Sequence, residues 1–204
     1  MIGGVCMKHR TLFLALFLTA VLFSGCASDG SQGKEDTEAS RQSGAAQQEV
    51  PVPVPEDLGG MQSFEAHDME GNTVSSAVFG ESKLTMVNVW ATYCNPCLKE
   101  MPGLGELAQE YDTGEFRLIG IISDVPENAD EEIVELAKDL IEQTGASYTH
   151  LPINESLYHA LLEDVAAVPT TFFFDENGTL LDTVVGAMEK SAWEEKIDAL
   201  LGKE

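Results

Sequence analysis

The chain has 204 residues, enough for one domain with a substantial core plus appended segments. Eleven Lys and Arg stand against 35 Asp and Glu, a formal net charge of −24. A chain this acidic avoids nucleic acid and anionic lipid rather than seeking them, and no acidic cluster has the spacing of a calcium loop.

Lys8 and Arg10 precede an uncharged run from Thr11 to Gly25, too short and too small-ended for a typical membrane span. Basic start, apolar centre and small residues before a cysteine make a signal peptide of residues 1–25. Met7-Lys8-His9-Arg10 is a more natural start than Met1. The segment Leu22-Phe23-Ser24-Gly25-Cys26 resembles a bacterial lipobox, with Cys26 the residue to carry lipid; plain cleavage or an uncleaved anchor are the alternatives. With Cys6 lost in the leader and Cys26 lipidated, only Cys94 and Cys97 remain of four cysteines, which suits an exported protein in an oxidising space. Removing residues 1–25 takes away Lys8 and Arg10 and no acid, leaving 9 basic against 35 acidic residues, or −26.

Residues 26–55 are the lipidated Cys and a disordered linker of Ser, Gly, Gln, Glu and Ala that ends in Val50-Pro51-Val52-Pro53-Val54-Pro55. As a coil it spans about 30 Å, enough to hold a domain clear of a bilayer surface. Residues 56–204 form the folded domain. Phe64 to Asp68 and Thr73 to Ser76 flank Met69-Glu70-Gly71-Asn72, a hairpin with Gly71 in its turn. His67 is an ordinary strand residue there.

Leu84 to Trp90 is a buried strand, and it leads into Ala91-Thr92-Tyr93-Cys94-Asn95-Pro96-Cys97. Pro96 suits the first turn of a helix. That places Cys94 at a helix N-terminus, where orphan N–H groups and the dipole stabilise a thiolate. Strand, Cys-x-x-Cys, helix is the order of a thiol–disulfide redox site. A zinc site needs a second pair of ligands, and His67, His150 and His159 have no paired spacing. A c-type haem site needs His where Leu98 stands. A purely structural disulfide over so short a loop constrains the unfolded chain little.

Leu98 to Tyr111 is a helix that Pro102 would kink. Phe116 to Ile122 is an apolar strand suited to a sheet covered on both faces. Asn128 or Asp130 caps a helix with Ile133, Leu136, Ala137, Leu140 and Ile141 on one inner stripe, stopped at Gly145. A short strand at Tyr148 to Ile153 and a short helix at Glu155 to Asp164 follow. Thr170 to Phe174 and Thr179 to Val185 make a hairpin about Asn177-Gly178. The last helix, from about Glu189 to Leu201, turns Trp193, Ile197, Leu200 and Leu201 inward. This order gives an α/β sandwich with one mixed sheet, and no nucleotide fingerprint interrupts it.

The stretch from Val87 to Pro102 resembles the active-site segment of thioredoxin-fold proteins, in particular the TlpA/ResA-like thiol–disulfide oxidoreductases, and Val168-Pro169-Thr170-Thr171-Phe172-Phe173-Phe174 resembles their cis-proline strand. The resemblance spans residues 58 to 201. It departs at Tyr93, usually Trp in the family, and at the dipeptide Asn95-Pro96. It implies a thioredoxin-like fold: a central mixed β-sheet flanked by helices, with an N-terminal β-hairpin and an inserted helical segment. It implies Cys94 as nucleophile and Cys97 as resolving thiol, Val168 and Pro169 as the substrate side, and Trp90, Tyr93, Asn95 and Pro96 as neighbours of the pair. Asn88 stands where thioredoxin has a buried Asp, and Glu100 fits the Glu that such relatives carry three residues after the second cysteine. From spacing alone Glu100 reads as an exposed early-helix residue; the resemblance and the absence of an Asp at position 88 reverse that reading.

The expected function is that of a membrane-tethered extracytoplasmic oxidoreductase, reductive rather than oxidative. It needs no cofactor beyond the Cys94–Cys97 disulfide and no metal. Its partners are a client protein with a disulfide or thiols (apocytochrome c among the clients of relatives), a membrane thiol electron donor, and the membrane through an N-terminal lipid; the protein itself is a monomer. A metallochaperone without redox turnover is the alternative, although copper carriers on this fold use a Cys-x-x-x-Cys spacing that is absent. A thiol peroxidase is a further one, although no Pro-x-x-x-Thr-x-x-Cys segment exists.

Overall fold

The computed structural model describes residues 63–203. The leader, Cys26 and the tether lie outside these residues. No described helix is long and apolar enough to cross a membrane.

The described chain opens with a hairpin of β1 (Glu65–His67) and β2 (Thr73–Ser75), followed by a 3₁₀ turn, Ser76–Glu81. Asp68 accepts from the backbone N–H groups of Glu70 and Asn72 at 3.0 and 2.8 Å, and Gly71 takes φ +87°. Only glycine adopts that conformation cheaply, so the turn is set locally.

Five strands form the main sheet: β3 (Leu84–Trp90), β4 (Phe116–Pro126), β5 (Thr149–Ile153), β6 (Thr170–Asp175) and β7 (Leu180–Val185). Their order is β5-β4-β3-β6-β7. The first three run parallel, whereas β6 is antiparallel to β3 and β7 to β6. Every residue of the central strand β3 is buried, as its continuous apolar run requires of a strand covered on both faces.

The two-residue period of β3 divides the core. Val87 and Val89 meet Phe64, Phe79, Ile121 and Leu151 beneath the hairpin and the 3₁₀ turn. Leu84 and Met86 instead meet Leu104, Leu107, Trp193 and Ile197 of α1 (Asn95–Glu110) and α4 (Lys190–Leu201). Asn88 and Trp90 share that second face, and so lie under α1 rather than under the hairpin.

Helix α1 starts directly after Cys94, as the placing of Pro96 in a first helical turn expects and three residues before the run from Leu98, and it continues through Pro102. Helix α2 (Glu131–Thr144) begins after Asp130 and ends at Gly145 in the left-handed conformation. Its inward stripe is narrower than its apolar pattern: Ile133 and Leu136 are 40% and 48% exposed. Val134, Ala137, Leu140 and Ile141 face the core instead. The helix packs against α1 and β4 along one side only, so two apolar positions of the stripe overhang the contact. The segment expected as one short helix divides into α3 (Glu155–Leu157) and a π-helical turn, Tyr158–Leu162.

Candidate active site

The redox loop lies at the carboxyl end of β3. Cys94 has extended backbone and caps α1, and its Sγ accepts the N–H of Cys97 at 3.3 Å. Pro96 occupies the first turn, where it withdraws an N–H that would otherwise lack a partner. Cys94 and Cys97 are joined in a disulfide with their Cα atoms 5.3 Å apart. Cys94 keeps 5% of its surface and Cys97 none. Asn95 and Pro96 are exposed, and Tyr93, at 73%, is the most exposed large apolar residue beside the pair.

The end of β4 holds the loop that precedes Cys94. The Asp124 carboxylate accepts the Thr92 N–H at 3.0 Å and the Thr92 hydroxyl at 2.5 Å. The Ser123 hydroxyl donates to Trp90 O at 3.0 Å. Neither residue stood out in the sequence, because their partners lie more than thirty positions away.

Two titratable side chains, His150 and Glu100, are buried beneath the loop. Trp90 is fully buried, and its Nε1–H donates to His150 Nδ1 at 3.2 Å. Nδ1 is therefore the unprotonated nitrogen, and Nε2–H donates to Ala146 O at 2.9 Å. Burial pushes the His150 pKa down to about 4, so the ring is neutral. With both nitrogens engaged, His150 is a structural residue and not a free metal ligand. Gly120 makes this possible, since a Cβ there would collide with the imidazole.

The second is Glu100, which is buried at 5% exposure rather than lying on the helix surface. Its Oε1 accepts Asn88 Nδ2 at 3.1 Å. Its Oε2 accepts the Met188 N–H at 3.1 Å and Trp193 Nε1–H at 3.2 Å. Burial raises the Glu100 pKa to about 7, against the pull of these three donors. Asn88 Nδ2 also reaches Thr171 Oγ1 at 3.0 Å, while Asn88 Oδ1 has no partner among the described residues. The sequence reading did not single out Met188, and it placed Trp193 only on the inner face of the last helix. They join Glu100 across 88 and 93 positions, and Trp193 has the pattern of any core tryptophan.

The Val168–Pro169 bond is cis. Pro169 is buried and its carbonyl accepts the Gly186 N–H at 2.8 Å. Val168 packs against the cluster that contains both cysteines. Every residue expected at the site therefore gathers at this edge except Cys26, which lies outside the described residues.

A disulfide that opens a helix at the end of a central parallel strand is the working part of a thioredoxin-fold thiol–disulfide oxidoreductase, and the protein is an enzyme of that class. Residues 59–183 match the AhpC/TSA family, and the chain belongs to that family. It is similar to the thioredoxin-like protein YneN of Bacillus subtilis, at 26% identity over 70% of this chain and 82% of that one. It is similar to the thiol–disulfide oxidoreductase ResA of Bacillus cereus, at 25% identity over 92% of this chain and 94% of that one. Among solved structures it resembles the exposed lipoprotein thioredoxin of Streptococcus pneumoniae, with TM-score 0.52 and 26% identity over 67% of this chain and 98% of that one.

Proposed function

We propose that the protein is a membrane-tethered, extracytoplasmic reductant of protein disulfides. The asymmetry of the pair carries the thiol–disulfide exchange at the centre of this reading, with Cys94 as the attacking thiol: Cys94 heads the helix, receives an N–H on its sulfur and keeps the only exposed surface of the two. In the reduced enzyme the Cys94 thiolate attacks one sulfur of a client disulfide. A bond forms from Cys94 Sγ to that sulfur, and the other client sulfur leaves as a thiolate that takes a proton from water. Cys97 then gives its S–H proton to Glu100 and its thiolate attacks Cys94 Sγ; the Cys94–client bond breaks, and the client sulfur held in it leaves as a thiolate that takes a proton from water. The client gains two electrons and the enzyme is left as the Cys94–Cys97 disulfide. A membrane dithiol returns it to the reduced state.

Glu100 favours the reductive direction. A carboxylate beneath the pair disfavours thiolate in the reduced enzyme, whereas strong oxidants owe their potential to a stabilised reduced form. The client segment lies against Tyr93 and the backbone of Val168, the Pro169 carbonyl being already engaged. Cys26 supplies the anchor, as its lipobox-like setting indicates, and a similar protein of Streptococcus pneumoniae is named a lipoprotein. Apocytochrome c is the client that the resemblance suggests.

Trapping tests the assignment. Cys97→Ala is expected to accumulate mixed disulfides through Cys94, and Cys94→Ala to accumulate none and lose disulfide reduction. Equal trapping by the two variants contradicts it. Cys26→Ser is expected to leave unprocessed precursor or to release the protein to the medium; unchanged size and membrane retention contradict the anchor.

A further inference from the structure

We propose that Trp193 is a positioning residue for the redox reaction: its indole N–H, beside the backbone N–H of Met188, pins Glu100 Oε2 and holds the carboxyl group in place for the proton transfer from Cys97. This rests on the role of Glu100 given above.

The geometry of α4 carries the inference. A buried indole N–H needs an acceptor, and a neutral carbonyl would satisfy it at no electrostatic cost. Here it is aimed at a buried carboxylate on the helix that bears the disulfide. Three further contacts fix that aim. Lys190 Nζ lies 2.7 Å from Glu106 Oε2 and 2.6 Å from Glu110 Oε1, and the Tyr111 hydroxyl donates to Asp198 Oδ1 at 3.0 Å. Gly103 lets the start of α4 come close, since a Cβ there would lie 3.0 Å from Lys190 Cβ.

The donors divide unequally between the two oxygens. Oε2 receives two N–H groups that cannot rotate away, while Oε1 receives only the Asn88 amide. The partnerless Oδ1 of Asn88 belongs to the same side chain. Turning that amide over offers Oδ1 to a protonated Oε1–H, so the carboxyl group can be satisfied in both charge states. The titratable groups placed near Glu100 are the cysteine pair on its own helix and Tyr148, whose raised pKa owes part of its shift to Glu100. Strands β3 and β6 and the segment before α4 present only Asn88, Thr171 and a backbone N–H.

The test compares the pH dependence of Cys94 alkylation in the reduced full-length parent, Trp193→Phe, Glu100→Gln and the double variant. Phenylalanine keeps an aromatic ring and removes the donor to the charged carboxylate. The step that reports Glu100 should move up by about 0.5–1 pH unit. Glu100→Gln should abolish that step, and adding Trp193→Phe to it should change nothing further. A parental profile in Trp193→Phe, or a shift that survives in the Glu100→Gln background, overturns the proposal. A parental profile in Glu100→Gln itself instead removes the role of Glu100 on which it stands. Should Trp193→Phe fail to fold, benzothienylalanine at position 193 keeps the bicyclic shape with sulfur in place of N–H, and the same outcomes decide.

Discussion

The two buried polar pockets beneath the redox loop both hang from one face of β3, Asn88 opening one and Trp90 the other. Each holds a titratable side chain in hydrogen bonds, yet the two pKa values move in opposite directions. Burial raises the acid, Glu100, to about 7 and lowers the base, His150, to about 4, because it disfavours the charged form of either. At neutral pH one pocket therefore exchanges a proton readily and the other does not exchange at all. The same desolvation suits Glu100 to the proton-accepting role proposed for it and makes His150 a fixed strut under Trp90.

The contrast breaks most visibly in stability. His150→Ala leaves Trp90 Nε1–H and Ala146 O without partners and opens a cavity, so it should cost about 3–5 kcal/mol in denaturant unfolding. The neutral-pH step in Cys94 reactivity should survive in the folded fraction. A loss of that step would mean that the two pockets are coupled.

The pH dependence of unfolding sharpens the comparison further. Glu100 binds its proton more tightly folded than unfolded, its pKa rising from 4.5 to about 7. Its contribution is thus fully present below 4.5 and lost as pH rises through 7. Glu100→Gln should then gain up to about 3 kcal/mol relative to the parent above pH 7 and nothing below 4.5. His150 has the reverse sign: its pKa falls from 6.5 to about 4, so stability present above 6.5 is lost as pH falls through 4.

Kinetics give a smaller effect. Glu100→Gln should slow resolution of the mixed disulfide by about 100-fold, the low end for a general base, and His150→Gln should not do so by this route. Smallest of all, Leu136→Ser on the exposed side of α2 should change stability by less than about 0.5 kcal/mol, whereas a core position of the same stripe, Ala137, should tolerate no larger residue.

These pockets also mark how far the sequence could be read. The β3 run, the Cys-x-x-Cys turn, the Asn177-Gly178 hairpin and Gly145 after α2 are encoded within a few residues of themselves, and each lies where its local pattern places it. The partners of Glu100 are encoded nowhere near it. Asn88 and Glu100 were legible through resemblance, but Met188 and Trp193 reach the carboxylate only once α4 has docked. The Trp90–His150 bond is equally long-range and depends on a glycine at position 120 to let the imidazole approach. The α2 stripe fails for the converse reason: periodicity reports an apolar face, while the width of the surface that covers it is set by neighbours.

The most direct test of the account is the titration of Glu100 itself in the oxidised enzyme. Carbon-13 NMR of protein labelled at glutamate carboxyls would identify it as the resonance absent from Glu100→Gln. A midpoint near 7 is predicted; a midpoint near 4.5, that of an ordinary solvated glutamate, would contradict the claim that this carboxylate is poised to take the proton of Cys97.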